Sequence, residues 1–343
     1  MAEWIRVYAS RLDCSGPNLF WAVPPSEELI GSLREMGQLE PVLVRARADQ
    51  DVHDVHAAQG GGYVLLSGYQ RVAALAEEGR EIVAGCLSGS GSALEDGLIY
   101  LHANLHRPLN ESMRIKALRY FQPLLSQEEL GRRVAVPLGL PPRSGTWRKY
   151  LDWLALPASW DDLLHRGNIP LAAGKILAGL GQGELEALRP YFSAWKWSQS
   201  RAVQWLAMLK EVALQRGWSV NEILEAASAP MILQADLAPQ DALQRLAGQT
   251  RSLRFPHLER MERRFAALAK ELFGASRWEI TPSPHFESDT LELRLRAQSP
   301  EALQTAAHAL DQALRMGSKA DNPKKSLAGL FRIGWEEEEQ SGP

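Results

Sequence analysis

The stretch LLSGYQRVAAL, residues 65 to 75, constrains the fold more tightly than any other. Its apolar run stops at Gly68 and a helical repeat follows with no room for a loop, so a strand must turn straight into a helix there. Such a turn gathers free backbone N–H groups at the helix start, and Arg71 adds a fixed positive charge in the first helical turn. The combination suits a phosphate. On its own, an ordinary strand-to-helix turn with a surface arginine would read the same way.

The surroundings of this turn alternate strand and helix signals: WIRVYA, PSEELIGSLREMG, PVLVRA, YVLLSG, YQRVAALAEEG and EIVAGCL. Ser26 is placed to cap the first helix, Leu29, Ile30 and Leu33 to form its buried stripe, and Gly37 to close it. Residues 1–110 therefore read as a small α/β domain. Between its middle strands lies RADQDVHDVHAAQGGG, where His53 and His56 sit among acids; the three closing glycines favour a loose loop over a metal site.

With 343 residues, 45% of them hydrophobic, the chain can bury more than one core. The fold class expected is multidomain, α/β plus all-α. Residues 111–228 carry a helical pattern punctuated by Pro157, Pro170 and Pro190, and Trp195, Trp197 and Trp205 read as core within it. Residues 229–255 mix Pro, Ala and polar types without a clean period and read as a linker. Residues 256–316 read as a small α-β-β-α domain. Leu258, Met261, Phe265, Leu268 and Leu272 repeat at three and four there, ahead of the alternating strand TLELRLRA and a helix opened by Ser299-Pro300-Glu301. So thin a core suggests completion by a second copy, with that seam at the dimer contact. Residues 317–343, which include WEEEEQ, read as a solvated acidic tail.

Neither a secretory h-region nor an apolar run near membrane-spanning length is seen, so a cytoplasmic protein with no membrane partner is expected. Cys14 and Cys86 are too few for a disulfide framework and lack zinc-ligand spacing. A formal net charge of −3 excludes a polycation drawn to nucleic acid by its overall field, so any nucleic-acid site must be a local patch.

Two further stretches carry chemistry. In YLHANLHRPLNESMR, Asn104 and Arg107 are three apart, which would set an amide and a guanidinium on one helical face. Together with Gly68 and Arg71 they suggest a nucleotide triphosphate site. In LSQEELGRRVAVPLGLPPRSGTWRKYLDWLALP, Ser126 and Glu129 form a capping box, and Leu130 and Val134 face inward. A Pro/Gly-rich turn follows, and Ser144 caps a second helix ending at Pro157. The pattern is a helix-turn-helix, with Trp147, Leu151 and Leu154 buried. Arg143, Thr146, Arg148 and Lys149 remain for a DNA groove and its phosphates. Residues 127–180 hold seven Lys/Arg against five Asp/Glu, a modest net of +2.

The order of SLREMGQLEPVLVR, LLSGYQRVAAL, HANLHRPLNESMR, the helix-turn-helix and LLHRGNIPLAAGKILAGL resembles the ParB partition protein family over about residues 20 to 315. The resemblance implies a ParB/sulfiredoxin-like α/β N-terminal domain and a C-terminal dimerisation domain. It also implies a homodimeric, CTP-dependent clamp that loads on double-stranded DNA in partition, nucleoid- or plasmid-associated, with a partition ATPase as a further partner. The family's Gly-Glu-Arg-Arg turn is here Gly68-Tyr69-Gln70-Arg71. Its Glu-Asn-x-x-Arg motif is here Ala103-Asn104-Leu105-His106-Arg107. Gly68, Arg71, Asn104 and Arg107 match, whereas the carboxylates do not. Bound CTP with Mg²⁺ ligation left open, and weak or absent CTPase activity, is the expectation. The alternatives are a phosphotransfer enzyme on the same N-terminal fold and a nucleotide-free DNA-binding adaptor. A sulfiredoxin activity would need a cysteine where Tyr69 stands.

Overall fold

The computed structural model describes residues 3–47, 62–274, 278–319 and 327–333. His53, His56 and the acidic run at 335–340 lie outside them. The chain divides into two compact units, Met1–Ala207 and Met208–Pro343. The α/β and helical segments expected to part at residue 110 thus share the first unit, up to Ala207.

The first unit opens with β1 (Glu3–Tyr8), β2 (Leu12–Asp13), α1 (Glu27–Met36), β3 (Val42–Ala46), β4 (Tyr63–Ser67), α2 (Tyr69–Glu77), β5 (Glu81–Leu87) and α3 (Ala93–Ala103). The strands form one mixed sheet in the order β1-β5-β3-β4-β2. β1 runs antiparallel to β5, β5 parallel to β3, β3 antiparallel to β4, and β4 parallel to β2. Val42, Val44, Leu65 and Leu66 are fully buried, as expected of central strands covered by helices. α2 packs on β3 and β5, and α3 on β4. Ser26 caps α1 through its side chain and Gly37 closes it at φ 72°, as their positions in the sequence require.

The helical part of this unit holds α4 (Glu111–Phe121), α5 (Gln127–Leu130), α6 (Gly145–Leu154), α7 (Asp161–His165), α8 (Gly174–Leu177) and α9 (Gln182–Ala194). It continues into α10 (Gln199–Arg216). An aromatic cluster welds it to the α/β part: the Phe20 ring lies 5.0 Å from Tyr100 and 5.9 Å from Phe121, and the Trp21 indole N–H donates to the Met113 carbonyl at 2.7 Å. Trp197 and Trp205 stack at 4.8 Å in the core, as read from their helical spacing.

The second unit continues through α11 (Val220–Ala226), α12 (Ala229–Gln234), α13 (Pro239–Arg254), α14 (Pro256–Phe273), β6 (Trp278–Pro282), β7 (Leu291–Leu295), α15 (Pro300–Lys319) and α16 (Leu327–Arg332). The expected linker at 229–255 is therefore two helices. Pro230 and Pro239 stand in first turns, where a missing N–H removes no helical bond, and Ala242, Leu243, Leu246 and Thr250 supply a buried stripe. Prolines that read as breakers are here starters. The expected α-β-β-α order of 256–316 is present, but the segment expected as a tail adds to it. α15 runs to Lys319, and Leu330 and Ile333 are buried in this unit's core.

Candidate nucleotide and nucleic-acid sites

At Gly68 the backbone sits at φ 100°, ψ 23°, which glycine adopts freely, and this residue is the N-cap of α2. A Cβ there would stand 2.5 Å from Cγ1 of Val42 on the neighbouring strand. The sheet thus needs both the positive φ and the missing side chain, and the chain passes from β4 to α2 in this one residue. Arg71, in the first turn, is half-buried. Its Nη1 donates to the Glu40 carbonyl at 2.7 Å and the Pro41 carbonyl at 3.1 Å, and lies 3.3 Å from Oε2 of Glu40. Burial lowers the affinity of its guanidinium for a proton; the Glu40 carboxylate opposes this and Arg107 adds to it.

α3 carries the other half of the site. Its start is fixed by Arg45, a buried cation on β3 whose guanidinium donates to Oδ1 of Asp96 from both Nε (3.0 Å) and Nη2 (2.9 Å), and to the Gly89 carbonyl at 3.0 Å. Gly91 leaves room for that guanidinium, since a Cβ there would lie 2.3 Å from its Cζ. At the far end α3 stops at Ala103. Asn104 is its C-cap, buried, donating from Nδ2 to the Tyr100 carbonyl at 2.8 Å and toward Ser67 Oγ at 3.4 Å beside the Gly68 turn. Arg107 closes a tight turn, its N–H donating to the Asn104 carbonyl.

This corrects the expectation of a shared helical face for Asn104 and Arg107. Pro108 explains it, because the residue before a proline disfavours helical φ/ψ. The structure nevertheless brings Asn104 against Ser67, and Arg107 within electrostatic reach of Arg71, at the end of β4. The Arg107 side chain has no hydrogen bond or ion pair among the described residues.

The donor set tests what this place could hold. Two guanidiniums, free N–H groups at the start of α2 and a cradle that a side chain would fill all fit phosphate oxygens. For Mg²⁺ the fit is poor: among the described residues no cluster of three His, Cys, Asp or Glu side chains could hold a metal ion, and Tyr69 and Ala103 offer no carboxylate. Cys14, its thiol pushed up to about 11 by burial, is no ready thiolate.

The segment expected to form a helix-turn-helix begins as the sequence requires. Ser126 and Glu129 form both bonds of the capping box, and Leu130 and Val134 are buried. The first helix is short, however: α5 passes after Leu130 into a π-helical turn, Gly131–Ala135. Ser144 caps α6, accepting from the Trp147 N–H at 3.0 Å. Trp147, Tyr150, Trp153 and Leu154 form the buried stripe, which corrects the expected Trp147, Leu151 and Leu154; Leu151 is only half-buried. The true stripe repeats at three, three and one, and its aromatics reach further inward than Leu151.

Arg143, Thr146, Arg148 and Lys149 are all exposed, and the three cations have no side-chain partner among the described residues. Arg143 sits at φ 67° just before the cap, a conformation that costs a non-glycine residue about 1–3 kcal/mol. The helix backbone, by contrast, is firmly held. Arg119 of α4 donates to the Leu154 carbonyl at 2.8 Å and the Leu156 carbonyl at 2.7 Å at the end of α6, and grips Asp161 from Nε at 3.0 Å. A fixed helix thus presents free cations.

In the second unit the expected dimer seam faces elsewhere. Phe265 and Leu268 are buried in the unit's own core, with Met261 and Leu272 packed against it and Leu258 half-buried. The seam is consumed by Ala313, Leu330 and Ile333 from α15 and the segment after it. From α14 onward the exposed large apolar residues among those described are Leu293 on β7, Phe331 on α16, and Leu303 and Leu314 on α15, the last two eleven positions apart and so on one face.

No family model and no curated protein matches the chain. Among solved structures it is similar to the C-terminally truncated chromosome-partitioning protein ParB from Caulobacter crescentus complexed to the centromeric parS site. That likeness has 18% identity and a TM-score of 0.34, covering 64% of this chain and 95% of that one. The same protein complexed with CTP-gamma-S is similar at 20% identity and a TM-score of 0.23, covering 56% of this chain and 99% of that one. Among the described residues no helix is long and apolar enough to cross a membrane.

Proposed function

We propose that the chain is a ParB-like DNA-binding protein that acts in DNA partition as a CTP-responsive homodimer with weakened or lost hydrolysis. The observation that carries this reading is the pairing, in one unit, of two different cationic sites. One is a turn where Arg71 stands beside Gly68, with Asn104 against Ser67 and Arg107 within electrostatic reach; the other is a rigidly held helix whose exposed start carries Arg143, Thr146, Arg148 and Lys149 around the cap Ser144. The first suits a compact polyphosphate and the second an extended polyanion.

At the turn, Arg71 and Arg107 hold phosphate oxygens, Asn104 orients the end of α3, and the α2 N–H groups complete the cradle. Tyr69 and Ala103 would give a divalent cation no carboxylate to hold it, so the chain's own residues favour binding of phosphate over its turnover. On α6, Arg148 and Lys149 meet backbone phosphates and Arg143 and Thr146 approach base edges. The homodimer forms through the apolar residues that this unit leaves exposed on α15 and β7, Leu303, Leu314 and Leu293.

A selection from random double-stranded DNA, followed by phosphate-release assays with CTP and the selected site, tests the reading. A defined site together with calorimetric CTP binding and slow or absent release supports it. Failure to enrich any sequence refutes the DNA half. Arg71 already bonded to Glu40 and Pro41 favours a second reading, the nucleotide-free adaptor, which predicts a selected DNA site and no CTP binding.

A further inference from the structure

Two guanidiniums share the Gly68 turn, and they are not equivalent. Arg107 has no described partner, whereas Arg71 is bonded on one side and carries a counter-ion. Its Nη1 is anchored by the carbonyls of Glu40 and Pro41, and Oε2 of Glu40 lies 3.3 Å from the same nitrogen. The Glu40 side chain is 84% exposed, against 22% for that of Arg71. The carboxylate therefore reaches in from solvent to a half-buried cation, and no other hydrogen bond or ion pair of that carboxylate is described. An exposed ion pair of this kind is weak and readily exchanged, while the two carbonyl bonds hold Arg71 in place whether or not the carboxylate stays.

A carboxylate and a phosphate oxygen pair with a guanidinium through the same kind of charge-assisted bond; Glu40 shares Nη1 of Arg71 with the two carbonyls, and Nε and Nη2 have no described partner. A dianionic phosphate that reached both Arg71 and Arg107 would satisfy two cations at once, which Glu40 does not. We propose that Glu40 is an internal stand-in for phosphate: its carboxylate neutralises Arg71 while no nucleotide is bound, and it competes with an incoming phosphate for that charge. The proposal rests on the phosphate-binding reading of Arg71 and Arg107. Glu40 thereby lowers affinity for every phosphate ligand and holds back singly charged anions that cannot engage both arginines.

The test is Glu40→Gln in the full chain, a surface change that keeps size and leaves both backbone carbonyls in place; an unchanged melting curve checks the fold. Calorimetry with inorganic pyrophosphate and with CTP is expected to show affinity raised about twofold to fivefold. That gain should vanish in Glu40→Gln/Arg71→Ala. A second readout needs no nucleotide: modification of Arg71 by phenylglyoxal, followed by peptide mass spectrometry, should be faster in Glu40→Gln, with Arg107 as the internal reference. Both changes together support the proposal.

Weaker CTP binding by Glu40→Gln would overturn it, showing Glu40 as a ligand rather than a competitor. Unchanged affinity and unchanged Arg71 reactivity, in a protein that does bind CTP, would overturn it alone. Faster modification of Arg71 with neither ligand bound by either protein would overturn it through the phosphate reading on which it rests.

Discussion

Arg71 and Arg148 both stand in the first turn of a helix, yet the molecule treats them in opposite ways. Arg71 is half-buried, anchored to two backbone carbonyls and paired with Glu40. Arg148 is exposed with no described side-chain partner, while the helix beneath it is tied at its far end by Arg119 and Asp161. The difference matches what each would meet. A small polyphosphate is gripped best by cations fixed before it arrives, since the ordering has already been done. A DNA backbone offers many near-equivalent phosphates, and long side chains on a rigid helix can settle on them by counterion release.

The largest expected effect breaks the first half of this contrast. Gly68→Ala forces a side chain into positive φ and against Val42, so it should destabilise the first unit by at least about 1–3 kcal/mol and abolish nucleotide binding. Chemical denaturation measures the former, and a loss below about 0.5 kcal/mol would show that the turn relaxes. Arg119→Ala tests the second half. It strips the end of α6 of its donors and leaves Asp161 without its cation, for about 1.5–3 kcal/mol, and should lower DNA affinity without touching any exposed cation.

Next in size, Arg148→Ala and Lys149→Ala should each reduce the salt dependence of DNA binding by about one unit of slope. If Arg143 reads a base edge, Arg143→Ala should instead cost about 1–3 kcal/mol of discrimination between sites. Slopes and site preferences unchanged in all three would remove α6 as the reader.

The second unit supplies a parallel contrast between covered and open apolar faces. Phe265→Glu puts a carboxylate into that unit's own core and should unfold it, whereas Leu303→Glu with Leu314→Glu should yield a folded monomer by light scattering. A folded, monomeric Phe265→Glu would return the dimer contact to α14.

The smallest effect is acid sensitivity at the capping box. The hydroxyl and backbone N–H of Ser126 hold the Glu129 carboxyl below its ordinary value. A lowered folded-state pKa means stability that is present above the unfolded value and lost as pH falls through the folded one. Melting temperatures measured below about pH 4.5 should therefore fall less steeply in Glu129→Gln.

Local rules made part of this legible. Ser26, Ser126 and Ser144 cap their helices because an N-cap is decided within four residues, and Gly68 announces its turn because only glycine fits there without strain. What stayed hidden depends on distant partners. Glu40 and Pro41 lie some thirty positions before Arg71, and Asp96 lies 51 after Arg45. Leu330 and Ile333 enter a core that no periodicity announces, and they cover the seam on α14 that resembled an interface. Two features do carry a local mark: Pro108 lies just past the end of α3 near Asn104, and Pro239 stands at a helix start rather than in a linker.

The central claim is that Arg71 and Arg107 act together on a phosphate chain. Calorimetric titration of CTP, ATP and GTP into the full chain, with Arg71→Ala and Arg107→Ala alongside, tests it most directly. The account predicts weak but measurable CTP binding that each substitution lowers about tenfold or more, in line with lost charge-assisted hydrogen bonds. No heat from any nucleotide, or CTP binding indifferent to both arginines, would contradict it.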